Sequence, residues 1–388
     1  MSKGVLEGVK VLDLSRVLAG PYCGAFLADL GADVVKVEAP NGDDARHLGP
    51  FKGEESVYFA ELNHGKRSVV LNFKDPKDHE RFMKLVEHAD VVLENFRPGV
   101  TKRLGVDAES VHKTNPRIIY ASISGFGQEG PFRNRPAYDL IVQAMSGIMA
   151  ATGPEGGKPT RVGESLGDVV SGIFAGWAIC AALYERERTG VGRTVDVSMF
   201  NSLLALQVTN LSLLLADGKL PGRIGNRHPV SAPFDTYPAK DGLVALAVAN
   251  DRIWARLADL MGRPDLGAND AYLGDMNRAN KRQELTQLVS GWTQTMTVAE
   301  LLRKTEEAGV PAAPIWDLKE ALESEHVVAR HSLGHFTHPE LGKMPYLRFP
   351  ADFGCGNLEV SSESSPRLGE QTAGAVAAEW GRSANDDK

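Results

Sequence analysis

The first forty residues restrict this chain to a small set of folds. Val9-Lys10-Val11-Leu12-Asp13-Leu14 reads as a buried strand, Ala19-Gly20-Pro21 as a turn, and Phe26-Leu27-Ala28-Asp29-Leu30 as part of a helix that Gly31 ends. Asp33-Val34-Val35-Lys36-Val37-Glu38 is a second strand. Two parallel strands joined by one helix require a right-handed crossover, which commits the start of the chain to an α/β sheet. The alternation continues with a helix over 77–88, a strand at 91–93, a strand over 117–123 and a helix over 139–150. A loop at 152–159, a long helix from 169 to about 190 and a strand at 194–198 follow. This is the pattern of a doubly wound, Rossmann-like α/β domain.

The character changes near residue 215. Pro221-Gly222-Arg223-Ile224-Gly225-Asn226-Arg227-His228-Pro229 is polar and rich in turn formers. A hairpin is expected from 234–237 to 243–248 around Lys240-Asp241-Gly242, then helices over 252–261, 277–292 and 298–308. The expected division is a large domain over 1–215 and a small α+β domain over 216–324, with the end of the chain, about 325–388, free to return to the first domain. Short strands and loops are expected from Pro314 onward.

Hydrophobic residues at 43% and charged residues at 24% are ordinary for a soluble globular protein. A formal net charge of −7 argues against a nucleic-acid partner. Cys23, Cys180 and Cys355 lie far apart with no CxxC or finger spacing, which fits a reducing compartment. No apolar signal core precedes the first strand, and the longest apolar stretch, near 173–183, is too short to span a bilayer. A cytoplasmic protein without a membrane partner is the expectation.

Three places invite a chemical reading. Glu38 ends the second strand, where a ribose-binding acid would sit, but Leu18-Ala19-Gly20-Pro21-Tyr22-Cys23-Gly24 is not GxGxxG, and proline removes an amide from the turn. A structural β-α-β unit fits better than NAD binding. His331, His335 and His338 have helical spacing, yet Gly334 and Pro339 argue against a helix, so no metal site is expected. Asp168 lies in Gly163-Glu164-Ser165-Leu166-Gly167-Asp168 at the start of the long apolar helix. There it either caps the helix or acts as a nucleophile favoured by the positive helix end. The residues alone leave both open.

Several motifs together resemble the class III CoA-transferases, the family of formyl-CoA transferase and acetyl-CoA:oxalate CoA-transferase. They include Gly8-Val9-Lys10-Val11-Leu12-Asp13-Leu14, Leu18-Ala19-Gly20-Pro21 and Gly31-Ala32-Asp33-Val34-Val35-Lys36-Val37-Glu38. Asn63-His64-Gly65-Lys66-Arg67-Ser68, Asn95-Phe96-Arg97-Pro98-Gly99, Ser124-Gly125-Phe126-Gly127-Gln128-Glu129-Gly130-Pro131, Tyr138-Asp139 and Gly167-Asp168 complete the match, which runs to about Pro314. The resemblance implies an interlocked homodimer and a nucleophilic Asp168. It implies an activity that moves CoA from an acyl-CoA to a small, dicarboxylic acid through aspartyl anhydride and thioester intermediates. No metal and no separate cofactor are implied, since CoA is part of the substrate. The related α-methylacyl-CoA racemases carry a histidine where this chain has Tyr138; a tyrosine, with an ordinary pKa near 10, suits that proton transfer poorly. A racemase, or a CoA-binding protein without chemistry, remains the alternative.

By family position, CoA is expected against Val17, Leu18, Ala39, Leu71, Asn72, Phe73, Lys74, Asn95, Phe96, Arg97, Arg103, Ala137, Tyr138 and Asp139. Lys74, Arg97 and Arg103 supply charge for phosphates. Ala39 replaces an arginine of formyl-CoA transferase, so that contact is lost or passes to Arg46. Arg227 and His228 are candidates for the far carboxylate of a dicarboxylic acceptor, the alternative being a structural loop.

Overall fold

The computed structural model describes residues 4–353 and 363–382, so Cys355 lies outside the described residues. The chain divides into two compact units: residues 1–148, 162–209 and 326–388 form one, and residues 149–161 and 210–325 the other. Residues 149–161, which the sequence reading assigns to the large domain, go with the second unit.

The large unit is built on six strands: β1 (Lys10–Asp13), β2 (Asp33–Glu38), β3 (Lys66–Val70), β4 (Val91–Glu94), β5 (Ile119–Ser124) and β6 (Thr194–Ser198). Their order is β3-β2-β1-β4-β5-β6, and every neighbouring pair is parallel. Successive strand residues point to opposite faces, so Val11 and Leu12 enter different cores. On one face Val11, Val34, Leu93 and Ala121 pack with Cys23 and Leu27 of α1 (Ala19–Asp29) and Ala175 and Ile179 of α4 (Leu166–Thr189). On the other, Leu12, Val35, Val92 and Tyr120 pack with Phe82 and Leu85 of α2 (Pro76–Val86) and with Val376 and Trp380.

The long helix α4 exceeds the apolar stretch read from sequence. By length and composition alone it is long enough to cross a membrane. Here one face of it enters the core through Ala175, Ile179, Ala182 and Leu183. A Cβ on Gly172 would lie 2.7 Å from the Ala19 carbonyl oxygen, so glycine at that point lets α4 lie directly on α1. The helix expected over 139–150 is instead α3 (Asp139–Met145) followed by a separate turn, Ile148–Ala151. The break falls at Gly147, whose φ of +90° no helix allows.

The helix Ala373–Trp380 closes the unit. The Trp380 indole donates to Asp33 at 2.6 Å, Lys10 donates to the Trp380 carbonyl at 2.8 Å, Arg67 pairs with Glu379 at 2.7 Å, and Gln371 bridges Val69 of β3. Past Pro314 two short helices, Leu318–Leu322 and Glu325–Ala329, replace the expected loops, and a hairpin joins Leu333–His338 to Gly342–Leu347. His335 and His338 are on its first strand, and the His338 Nδ1 accepts the amides of Glu340 and Leu341.

The second unit carries a three-stranded antiparallel sheet in the order Ala312–Pro314, Leu243–Ala247, Phe234–Pro238. Helices Asp251–Leu260, Arg282–Thr293 and Val298–Ala308 pack over it through Trp254, Leu257, Val289 and Leu301. The helix expected over 277–292 breaks at Lys281 into Asp275–Asn280 and Arg282–Thr293.

Candidate active site

Asp168 occupies the third position of α4 and is not its cap. The residue before the helix, Ser165, makes no side-chain capping bond. The capping acceptor comes from another helix: the Asp139 Oδ1 at the start of α3 accepts the Gly167 amide at 2.8 Å. The other Asp139 oxygen accepts from the Gln143 amide one turn along at 2.8 Å. The Gln143 Oε1 in turn accepts the Val162 amide at 2.9 Å, and its Nε2 donates to the Glu164 carbonyl at 3.3 Å. Asp139 and Gln143, at i and i+4 on one face of α3, therefore fix the whole entry to α4. No hydrogen bond reaches the Asp168 carboxylate among the described residues, although other carboxylates of this region are well supplied.

That isolation has an electrostatic result. Burial, and then the negative charge of Asp139, push the Asp168 carboxyl up to about 7. Tyr58, on the short helix Val57–Leu62, is pushed up to about 12 by burial and then by the charges of Asp168 and Glu164. Tyr58 is absent from the residues read from sequence, and no motif there marks it. Its place beside Asp168 emerges only from the fold.

Of the other expected CoA positions, Arg103 is on the short helix Val100–Leu104 and most lie on the loops that leave the carboxyl ends of the parallel strands. A cleft of about 180 Å³ opens there, lined by Ala39 after β2, Leu71 to Lys74 after β3 and Phe96 after β4, together with Arg16 and Lys36. Six of the fourteen positions thus meet in one cleft. Val17 and Asn95 do not line the cleft but flank and hold Arg16, which does. The Asn95 side chain both accepts the Arg16 amide at 2.8 Å and donates to the Arg16 carbonyl at 2.7 Å. Val17 is held at a φ of +67°, a conformation that costs a β-branched residue on the order of 1–3 kcal/mol, with its amide donated to Asp43 at 3.0 Å. Leu18 is buried just before α1. Glu94, whose carboxyl burial pushes up to about 7, accepts the Phe96 amide at 2.8 Å and sets the β4 loop.

Lys74, Arg97 and Arg103 are exposed, and none has an ion-pair partner among the described residues. Ala137 packs so closely under the end of β5 that a Cβ on Gly125 would lie 2.3 Å from it, which leaves Tyr138 projecting at 75% exposure.

Arg46 does not replace the arginine missing at position 39. Its guanidinium forks onto Glu38 at 2.8 and 2.7 Å and lies 3.8 Å over the Phe59 ring. Glu38 also accepts from Ser68 at 2.6 Å, so its oxygens are committed within the protein and unavailable to a ribose. Arg16 is the cation missed by the sequence reading: it lines the cleft, faces the Phe96 ring at 5.3 Å, and pairs with the exposed Asp44 at 3.3 Å. Beneath it two buried ion pairs, Lys36 with Asp43 at 2.7 Å and Lys66 with Asp13 at 2.9 Å, brace the strand ends.

In the second unit, Arg227 forks onto Glu155 at 2.7 and 2.9 Å. The His228 ring turns back on its own loop, its Nδ1 accepting the amides of Ser231 at 3.1 Å and Val230 at 3.3 Å. Among the described residues no group of three or more His, Cys, Asp or Glu side chains could hold a metal ion.

A parallel α/β unit with a cleft at its strand ends and an unbonded carboxylate in the first turn of a long helix can hold a ligand beside a nucleophile. Residues 6–372 match the model of CoA-transferase family III, and the chain belongs to that family. It is 46% identical to an acetyl-CoA:oxalate CoA-transferase of Acetobacter aceti, over 85% of this chain and 86% of that one. It is 40% identical to a succinyl-CoA:mesaconate CoA-transferase of Haloarcula hispanica, over 87% and 86% of the two chains. A CAIB/BAIF family protein from Brucella suis, solved by crystallography, superposes with a TM-score of 0.85 at 37% identity, covering 98% of this chain and 100% of that one.

Proposed function

We propose that this protein is an acyl-CoA:carboxylate CoA-transferase whose acceptor is a small dicarboxylic acid, with Asp168 as the nucleophile. The single observation that carries the role of Asp168 is its unbonded, half-buried carboxylate in the first turn of α4, next to the Gly167 amide that Asp139 caps. A carboxylate stripped of hydrogen bonds is a stronger nucleophile than a solvated one, and it stays ionisable at neutral pH. Relatives named for oxalate and mesaconate supply the dicarboxylate class.

In the first step an Asp168 oxygen attacks the donor thioester carbon, the C–S bond breaks, and CoA leaves as thiolate from a mixed anhydride. The thiolate then attacks the aspartyl carbonyl and expels the donor carboxylate, leaving an aspartyl-CoA thioester. The acceptor carboxylate attacks that carbonyl and releases the thiolate. The thiolate finally takes the acyl group from the new anhydride and restores Asp168. Each bond made replaces one of similar energy, so no cofactor is needed, and water must be kept from the anhydrides.

CoA is assigned to the cleft at the carboxyl ends of β1 to β4. The order β3-β2-β1-β4-β5-β6 reverses direction between β1 and β4, and open parallel sheets of this Rossmann-like kind bind ligands at that point. Arg16, Lys74, Arg97 and Arg103 are the cations available for its phosphates. An interlocked homodimer is supported by the apolar side chains the large unit leaves exposed, among them Ile173, Trp177, Tyr184, Leu204 and Val208. Asp168→Ala is expected to abolish transfer and the hydroxylamine-labile aspartyl adduct while acyl-CoA still binds. Turnover near wild type in that variant would refute the assignment.

A further inference from the structure

We infer that Gln143 is a positioning residue of the transfer reaction: by holding Asp139 and Glu164 on the amides that open α4, it keeps the Asp168 carboxylate out of the capping role and free to attack. This rests on the reading of Asp168 as the nucleophile and adds to it the residue that keeps that carboxylate available.

An acid at the third position of a helix ordinarily reaches back to the amide of the residue before the helix. Asp168 stands at that third position, and Ser165 precedes the helix. The opening amides are already taken. The Ser165 amide donates to the Glu164 Oε1 at 2.9 Å, the Leu166 amide to the Glu164 carbonyl at 2.8 Å, and the Gly167 amide to the Asp139 Oδ1 at 2.8 Å. Glu164 and Asp139 thus cap α4 in place of Asp168. A carboxylate that accepts backbone amides is held in its ionised form and is the poorer nucleophile for it.

Gln143 holds both substitutes and is completely buried. Its orientation is forced. The Val162 amide can only donate, so the Gln143 Oε1 faces it at 2.9 Å. The Nε2 is therefore turned to the Asp139 Oδ2 at 2.8 Å and to the Glu164 carbonyl at 3.3 Å. With one Asp139 oxygen fixed in this way, the other stays on Gly167. The approach is close: a Cβ on Gly167 would lie 2.8 Å from the Val142 side chain and 3.2 Å from the Asp139 Oδ1, so glycine there lets α3 reach the helix start. Without the Gln143 donor, Asp139 is free to turn away from Gly167, and the helix start is open to Asp168 itself.

The test compares wild type with Gln143→Met and Gln143→Glu in single turnover. It reads the rate at which the hydroxylamine-labile aspartyl adduct forms, with whichever of acetyl-CoA and succinyl-CoA labels the wild type. Methionine keeps the length of the side chain without its donor. Gln143→Met is expected to form the adduct about ten- to a hundredfold more slowly, with the half-saturating thioester concentration and the circular dichroism spectrum unchanged. In Gln143→Glu the introduced carboxyl can donate to Asp139 only while it is protonated. Its rate relative to wild type is therefore expected to be near unity at about pH 5.5 and to fall about tenfold by about pH 8.5. Adduct formation by Gln143→Met at the wild-type rate overturns the inference. So does a ratio for Gln143→Glu that stays flat with pH, or a rise in the half-saturating concentration that matches the loss of rate, since either marks general disorder of the entry loop. Should Gln143→Met not fold, the pH course of Gln143→Glu decides alone. A wild type that forms no aspartyl adduct from either thioester would overturn the reading of Asp168, and this inference with it.

Discussion

Asp168→Asn separates a poised nucleophile from a structural carboxylate by the sign of its effect on stability. Burial and the Asp139 charge move the Asp168 carboxyl from 3.8 up to about 7. At about 1.36 kcal/mol per pH unit, the ionised side chain destabilises the folded state by on the order of 4 kcal/mol above pH 7. The unfolded chain loses this proton near 3.8 and the folded chain near 7. Between those values the folded state holds the extra proton, so this group's contribution falls as pH rises through the window and levels off above it. Asparagine carries no charge and escapes the penalty. The helix start returns about 0.3–1 kcal/mol to the anion. Asp168→Asn is therefore expected to exceed wild type in stability at pH 8 by about 3 kcal/mol, and to lose most of that margin at pH 4.5, while transfer is abolished. Urea denaturation followed by circular dichroism at the two pH values measures both margins. A variant less stable than wild type by about 1 kcal/mol at both pH values is what loss of a helix cap produces, and that result would refute the reasoning.

Three further outcomes follow from packing and charge. Lys74→Ala is expected to raise the KM for the donor acyl-CoA about tenfold, or about 1.4 kcal/mol, and to matter far less with the matching dephospho-CoA thioester; equal effects on both would remove Lys74 from phosphate binding. Gly172→Ala puts a methyl 2.7 Å from the Ala19 carbonyl, and overpacking of this kind costs about 1–3 kcal/mol, so its melting temperature should fall; an unchanged melt would show that α1 and α4 can separate freely. Lys66→Met leaves Asp13 buried without its ion-pair partner, an expected loss of about 3–5 kcal/mol, and a soluble variant melting like wild type would contradict the role given to that pair.

Five of the six strands of the large sheet were legible as apolar or β-branched runs bounded by turn residues; β3, Lys66–Val70, was not, because it opens on Lys66-Arg67-Ser68. Val11 and Leu12 feed opposite cores, which is why no alternation marks β1, and the run itself was the signal. Helix ends were less legible where one residue decides: Gly147 and Lys281 each split a helix that periodicity joined. At the site, the sequence marked Asp168 and Asp139 but could not say that Asp139 is the capping acceptor of the other's helix, because that bond spans 28 residues. Arg46 and Arg227 were both read as free cations. Their partners, Glu38 and Glu155, are 8 and 72 residues away, and charge counting along a chain cannot reveal such pairs. Tyr58 carries no motif, and only folding brings it beside Asp168.

The closing helix Ala373–Trp380 has a consequence for how the large unit is made. Phe82, Leu85 and Val86 of α2 are complete only when Val376 and Trp380 cover them, more than 280 positions later in synthesis. A nascent chain stalled before that point presents an oily half-sheet to solvent, the kind of surface chaperones bind and aggregates grow from. All six strands are made by Ser198, yet this face of the sheet cannot seal until Ala373–Trp380 has emerged.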